Sequence, residues 1–314
     1  MADTKSITHL CLVDGSGFIF RAFYSMPPLT RSDGTPVNAV LGFCNMLYRL
    51  AQELECDGFA VLFDRPEPTF RHVIYPNYKA NRDKPPEELV PQFSIIHEAT
   101  TAFGFPAIDK AGYEADDLIA TYARQARERG WRVTIVSSDK DLMQLVGDGI
   151  DMIDPKTMAR IEAEQVVEKF GVAPEKVIDV QALAGDPTDN VPGVRGIGIK
   201  IAAELINIYG DLDTLLERSS EIKQPKRRQA LQDQADSARL SRELVSLKTD
   251  VSVSTELDSF ELSPTVLDVV RPFLIRQDFK ALLKRMERGL GGQSDSGDSP
   301  KMESENETSY ELVQ

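Results

Sequence analysis

Zinc-binding and disulfide chemistry are the first things this sequence withholds. Its 314 residues include three cysteines, three histidines and one tryptophan. Cys11, Cys44 and Cys56 are odd in number and unrelated in spacing, which argues against a disulfide framework and against a zinc site. Each lies in apolar sequence and reads as a buried small hydrophobe in a reducing cytosol. No run is long and apolar enough to span a bilayer, and residues 1–8 carry no secretory h-region. The expectation is a cytoplasmic protein of one large domain or two smaller ones, with no membrane partner.

Positive charge is also scarce: 36 Lys and Arg stand against 50 Asp and Glu, a formal charge of −14. That balance sits poorly with nucleic-acid binding until it is divided along the chain. Beyond Gly289, Asp295, Asp298, Glu303, Glu305, Glu307 and Glu311 face only Lys301. Nine further acids, described below, fall in one candidate site. Without these two groups the scaffold is near neutral, and local basic patches can still bind phosphates.

What is present first is an alternation of strand-like and helix-like segments. Apolar runs at residues 8–13, 59–63 and 131–136 read as strands. Residues 37–54, 91–103 and 115–128 read as helices, the last with Leu118, Ile119, Tyr122 and Ala126 on one stripe. The pattern predicts the α/β class: a mostly parallel sheet flanked by helices, occupying residues 1–163. Residues 164–288 read as a helical subdomain punctuated by Gly and Pro. Residues 289–314 have the composition of a disordered acidic linker. Residues 309–314 turn strand-like again, as the cut start of a next domain would.

Each predicted strand ends in acid. CLVD ends at Asp14, AVLFD at Asp64, and VTIVSSDKD supplies Asp139 and Asp141. Ligands of open parallel sheets bind at the carboxyl ends of the strands, so these acids should converge. EADD adds Glu114, Asp116 and Asp117 at a helix start, where negative charge is favoured, and GDPTDN adds Asp186 and Asp189 on a turn. One such acid is ordinarily a cap or a turn residue. Nine in one crevice repel, by about 1 kcal/mol per pair at 4 Å even in water, and require cations. Mg²⁺ fits oxygen-only ligands with retained waters. Two such ions stabilise attacking and leaving oxygens in phosphodiester hydrolysis. No His or Cys lies in these motifs, which disfavours zinc.

Three further stretches suit phosphate. Gly193, Arg195, Gly196, Gly198 and Lys200 follow Asp189 as a tight hairpin between helices, whose second N-terminus can accept a phosphate. It is not a dinucleotide fingerprint, since no strand precedes it. Lys223, Lys226, Arg227 and Arg228 form a basic run, ordinary as a solvated surface but placed to extend a duplex track. Arg71, His72, Lys79, Arg82 and Lys84, interleaved with Phe70, Tyr75 and Tyr78, suit a single strand through charge and stacking. Pro76, Pro85 and Pro86 make this last stretch an irregular excursion.

The motifs LVDGS, FDRP, FRHVIYPNYKANR, GYEADDLIATYA, VSSDKDLMQLV and LAGDPTDNVPGVRGIGIKIAAEL occur in that order. In this they resemble the 5′-nuclease domains of bacterial DNA polymerase I and, more widely, flap endonucleases, over about residues 8–285. The resemblance implies a PIN- and flap-endonuclease-like core, a helical arch at about residues 70–90 and a helix-hairpin-helix subdomain. It implies that Asp14, Asp64, Glu114 and Asp116 hold one Mg²⁺, and Asp139, Asp141 and Asp186 a second. Asp117 and Asp189 would stand nearby or act through water, and Mn²⁺ could substitute. Lys79 and Tyr78, with Arg21, Arg71 and Arg82, would guide the scissile strand, and the hairpin could hold K⁺ on backbone carbonyls. Pro187 and Thr188 stand where the family often has serines, and Ile199 and Ile201 where polar residues are common.

The function so implied is two-metal hydrolysis near a 5′ end, exonucleolytic and at 5′ flaps, on DNA with a flap, nick or free end and on RNA primers paired to DNA. The setting would be replication and excision repair in a bacterial cytoplasm, at the nucleoid. The chain would act as a monomer, joined covalently to a polymerase in the full-length protein. Two rivals remain. A phosphatase with an aspartate nucleophile usually has a second acid two residues on, where Ser16 stands. A non-catalytic DNA-binding module would not need nine acids.

Overall fold

The computed structural model describes residues 7–262 and 267–291. The strand-like residues 309–314 and nearly all of the predicted linker lie outside the described residues. The sheet contains β1 (His9–Asp14), β2 (Gly58–Phe63), β3 (Ala107–Asp109), β4 (Arg132–Val136), β5 (Ile150–Ile153) and β6 (Arg160–Ile161). Their order is β3-β2-β1-β4-β5-β6. β1 to β5 are parallel and β6 is antiparallel to β5. Val13 pairs with both Val61 and Val136, so the ends of the three central strands are level.

Side chains alternate along these strands and divide the core. Cys11, Val13, Phe59, Val61 and Phe63 face one layer of helices; Leu10, Leu12, Ala60 and Leu62 face the other. Five helices lie in the sheet half: α1 (Gly15–Ser25), α2 (Asn38–Glu53), α3 (Phe70–Ile74), α4 (Val90–Ala102) and α5 (Ala115–Glu128). The predicted stripe of α5, Leu118, Ile119, Tyr122 and Ala126, is wholly buried. The rest of the chain is helical: α6 (Ala163–Phe170), α7 (Val177–Ala184), α8 (Ile199–Tyr209), α9 (Leu212–Glu217), α10 (Pro225–Asp233), α11 (Ala235–Val245), α12 (Leu267–Arg276) and α13 (Lys280–Gly291). α7 shares the core of α5, through Val180 and Leu183, whereas α12 and α13 pack on the opposite layer with α2.

Two connections position the site. α7 and α8 are joined by a hairpin in which Gly193, at φ +61°, approaches Gly185 so closely that a Cβ would lie 2.5 Å from its nitrogen. The stretch expected as an irregular excursion over residues 70–84, and by resemblance as a helical arch at about 70–90, begins with the five-residue α3, started by a Thr69–His72 capping box. The turns beyond it lie down on the site as a strap, with Tyr78 4% exposed. Cys11 and Cys44 are buried as expected, but Cys56 is only half-buried.

Candidate active site

The chain turns back across the sheet between β1 and β4, and the acids collect there. Asp14 ends β1 and caps α1. One of its oxygens accepts from the Gly17 N–H at 3.1 Å and the other from the buried Ser137 hydroxyl at 2.9 Å. A Cβ on Gly17 would lie 2.8 Å from that second oxygen, so glycine lets the cap close. Asp64 accepts from the Ala115 N–H at 2.7 Å, and its own N–H donates to the Ser16 hydroxyl at 2.8 Å. Beyond β4, the Ser137 hydroxyl accepts from the Asp139 N–H at 3.0 Å, and Asp139 accepts from the Asp141 N–H at 2.9 Å. Asp141 in turn accepts from the Gln181 amide at 2.5 Å. A hydrogen-bond chain from β1 to α7 thus orients Asp14, Asp139 and Asp141.

Asp14, Asp64, Glu114, Asp116, Asp139, Asp141 and Asp189 line one cleft. Burial, with the charges of Asp64 and Asp139 behind it, pushes the Asp14 carboxyl up to about 6. Burial and the Asp139 charge push Asp141 up to about 7. Asp116 is raised well above the usual carboxylate range by burial and by Asp139, Asp14, Asp64 and Asp141. Among the described residues, none of Asp14, Asp64, Asp116, Asp139 and Asp141 pairs with a lysine or arginine; the ion pairs of the cleft go to other acids. Among the described residues no three acids, histidines or cysteines stand close enough together to hold a metal ion by themselves. One or two carboxylates per ion, with water in the other positions, is a pattern Mg²⁺ accepts.

Asp117, Glu114 and Asp189 are neutralised from α3 and the strap. Arg71, 1% exposed, donates to both oxygens of Asp117 at 2.7 and 2.8 Å and to the Leu244 and Ser246 carbonyls. Lys79 places its Nζ 2.8 Å from Glu114 and 3.7 Å from Asp189. Burial opposes its charge, but Glu114 and Asp189 outweigh burial and raise its pKa. The Tyr78 hydroxyl donates toward Glu114 at 3.1 Å, and Arg82 pairs with Asp189. Lys79 sits at φ +55°, a left-handed conformation uncommon outside glycine. It is held there by its N–H, which donates to the Asp189 carbonyl at 2.9 Å. Asn81 and Asn190 lace the strap to the turn at Asp186–Val191. With these side chains in place the cleft encloses about 140 Å³, less than the ~300 Å³ of an ordinary ligand pocket.

Four expectations are corrected. Asp117 is fully buried, with its oxygens taken by Arg71 and by the N–H groups of Glu114 and Lys248, so it anchors the fold and has no oxygen facing the cleft. Arg71 is committed to that anchor and is not free to guide a strand. Arg21 lies away from the cleft, on a separate groove of about 1050 Å³ beside Tyr48 and Arg285. Gly193 is turned inward, bonded to the Ser241 and Ser237 hydroxyls. Asp186 stands at the rim. Burial would raise its carboxyl, but the Lys140 ammonium at 2.7 Å outweighs burial and lowers it. Gly196, Gly198, Arg195, Lys200 and Lys226 are exposed as expected. Arg227 pairs with Glu204 at 3.4 Å, and Arg228 donates to the Ile222 carbonyl. Sequence reasoning missed Ser16, Ser137, Lys140 and Gln181; Ser137 and Lys140 lie inside SSDKD, but nothing marks Gln181.

Comparison with known proteins gives two family matches: "5′-3′ exonuclease, N-terminal resolvase-like domain" over residues 9–171, and "5′-3′ exonuclease, C-terminal SAM fold" over residues 172–267. DNA polymerase I of Rhizobium leguminosarum is 54% identical over 293 residues, 91% of this chain but 29% of that protein. The chain therefore spans about three tenths of that relative's length. A 5′-3′ exonuclease of Aquifex aeolicus is 36% identical over 89% of this chain and 95% of its own length. Among solved structures, the T5 5′-exonuclease with bound divalent metal ions (zinc) shares the fold. Its TM-score is 0.68 at 23% identity, covering 87% of this chain and 99% of that one.

Proposed function

The chain belongs to the 5′-3′ exonuclease family, and from that premise we propose that it hydrolyses one phosphodiester near a 5′ end with two Mg²⁺ ions. The observation that carries this reading is the convergence of five unpaired acids beside a cationic strap. Asp14, Asp64 and Asp116, with Glu114 at their edge, would hold one ion, and Asp139, Asp141 and Asp186 the other, in each set one or two directly and the rest through the ion's waters. The donor set suits a cation: burial and the neighbouring carboxylate charges raise the carboxyls of Asp14, Asp116 and Asp141, a penalty that a bound cation would relieve. Oxygen-only donors suit Mg²⁺, or Mn²⁺ in its place. When bound, Mg²⁺ supplies positive charge against the phosphate and makes water acidic enough to attack.

The chain's own residues do the rest. Ser137 and Gln181 fix the orientation of Asp14 and Asp141. Lys79 and Arg82 release Glu114 and Asp189 as the phosphate enters and place cations on its other side, where charge builds during hydrolysis. Gly196, Gly198, Arg195, Lys200 and Lys226 present N–H groups and cations to duplex backbone, a contact that reads no sequence; K⁺ on the hairpin carbonyls would strengthen it. Residues 1–163 would thus carry the chemistry and residues 164–288 the duplex. The substrates would be DNA with a 5′ flap, nick or free end and RNA primers on DNA, cleared during replication and repair. In the cell the chain would work in the cytoplasm, at the nucleoid, as a monomer joined to a polymerase. Among the described residues no helix is long and apolar enough to cross a membrane. The test is a 5′-labelled flap incubated with and without Mg²⁺: cleavage near the junction only with the ion is expected, and none under either condition refutes the reading.

A further inference from the structure

We propose that Gln181 is a positioning residue for the Asp139, Asp141 and Asp186 half of the cleft, its side-chain carbonyl receiving a hydrogen bond from a water held there by a divalent cation. This rests on reading the cleft as a metal centre. Gln181 sits on α7, whose other buried residues, Val177, Val180, Ala182 and Leu183, are apolar. It is 4% exposed. Its Nε2 donates to Asp141 Oδ1 at 2.5 Å, while its Oε1 is buried with no hydrogen-bond partner. Among the described residues the only other such buried atom is Arg127 Nε, whose guanidinium donates to the Trp131 carbonyl and pairs with Asp148.

An amide carbonyl is only an acceptor, and so is an ionised carboxylate. While ionised, the neighbouring acids therefore cannot satisfy Oε1, and the Lys140 ammonium is spent on Asp186. Plain apolar packing would have been served by leucine. What fits an orphan acceptor beside an anionic cluster is a species that is cationic overall and presents only donors: a hydrated divalent ion, which keeps several waters when bound by one or two carboxylates. Nε2 holds one oxygen of Asp141, leaving the other for the ion, and Oε1 would accept a hydrogen bond from that ion's water. Partners of this kind orient ligands and tune the ion without touching it.

The test uses the full chain without DNA, titrated with Mn²⁺ and read by the loss of its free-ion resonance signal, with thermal unfolding in parallel. Two classes of site are expected in the wild type, one of them weakened in the Asp141→Asn control. Gln181→Met keeps the volume and removes both polar atoms. It should weaken that same class by about tenfold or more and leave the other class unchanged. Gln181→Glu keeps an acceptor but sets a second charge against Asp141. It should unfold at lower temperature without metal and gain more than the wild type on adding Mn²⁺. A role in packing alone would lower unfolding temperatures and leave both metal affinities and metal-induced shifts at wild-type values; that result overturns the proposal. If Gln181→Met does not fold, the Gln181→Glu shift decides alone. Should the wild type bind no Mn²⁺ in an Asp141-dependent way, the metal-centre reading itself falls, and with it this inference.

Discussion

Asp116 and Asp117 are neighbours in the first turn of α5, and the structure treats them oppositely. Successive helical positions differ by about 100°, so one side chain faces the cleft and the other the interior. Asp117 is sealed between Arg71 and two backbone N–H groups. Asp116 faces Asp14, Asp64, Asp139 and Asp141, with no cation of the chain to balance it. The same contrast divides the whole site. Acids under the strap are neutralised by the chain and hold the fold together; acids at the sheet edge are left bare, which costs stability and leaves charge for a ligand to satisfy. Glu114 and Asp186 stand between the two groups, paired with Lys79 and Lys140 yet beside the bare acids.

The sharpest test of that division is to delete a bare acid and a paired one. Asp141→Ala should reduce flap cleavage by about a thousandfold or more, some 4 kcal/mol of barrier. Flap binding measured in Ca²⁺ should stay close to wild type. Near-normal cleavage by this variant would erase the contrast. Arg71→Met strips the counter-ion from a fully buried Asp117. Breaking such a pair costs about 3–5 kcal/mol, so the melting temperature should fall by roughly 10 °C. Arg71→Met with Asp117→Leu should recover most of the loss, because an apolar pair replaces a buried ionic one at little cost. A single variant as stable as wild type would show that the strap is not an anchor.

Lys79 belongs to both groups, since it neutralises Glu114 at rest and would face the phosphate in action. Its left-handed backbone is fixed by the Asp189 carbonyl, so the side chain is placed before substrate arrives. Lys79→Ala should slow single-turnover cleavage about 100-fold, roughly 3 kcal/mol. Equilibrium affinity should change little, because many other phosphate contacts remain. An unchanged single-turnover rate would confine Lys79 to the scaffold.

How far this division could be read in advance depended on which signals are local. The three central strands and α5 were legible because long apolar runs and a helical stripe repeat over many residues. β3 at Ala107–Asp109 and β6 at Arg160–Ile161 were not, since three and two residues carry no periodicity; their pairing is imposed by the sheet. The acids were legible because strand ends bring them together by topology. Their partners were not. Arg71 reaches Asp117 across 46 positions and Gln181 reaches Asp141 across 40, and no spacing rule links such residues. Arg21, assigned by resemblance alone, lies on the helix that Asp14 caps, and that position fixes neither the face nor the groove in which its side chain ends.

The smallest expected effect is the most direct probe of the bare acids. If Asp116 is held as a charge at a cost, neutralising it without changing its shape should stabilise the metal-free fold. Its carboxyl is raised in the folded state, so folding favours the protonated form. The penalty is absent below the unfolded carboxyl pKa near 4, grows as pH rises from there, and is complete above the raised folded value. Asp116→Asn should therefore gain about 1 kcal/mol at pH 8, a few degrees of melting temperature. At about pH 4 it should gain nothing. Because the residue is only half-buried, water screens part of the repulsion, and a larger gain is not expected. Saturating Mg²⁺ should reverse the order of stability, since the ion binds the wild type more tightly and contributes in proportion to that affinity. The matching change at the paired position, Asp117→Asn, should destabilise at pH 8, because it weakens the Arg71 anchor. Melting curves of both variants at the two pH values, with and without Mg²⁺, decide the matter. Equal destabilisation by both would mean that the two neighbours play the same part.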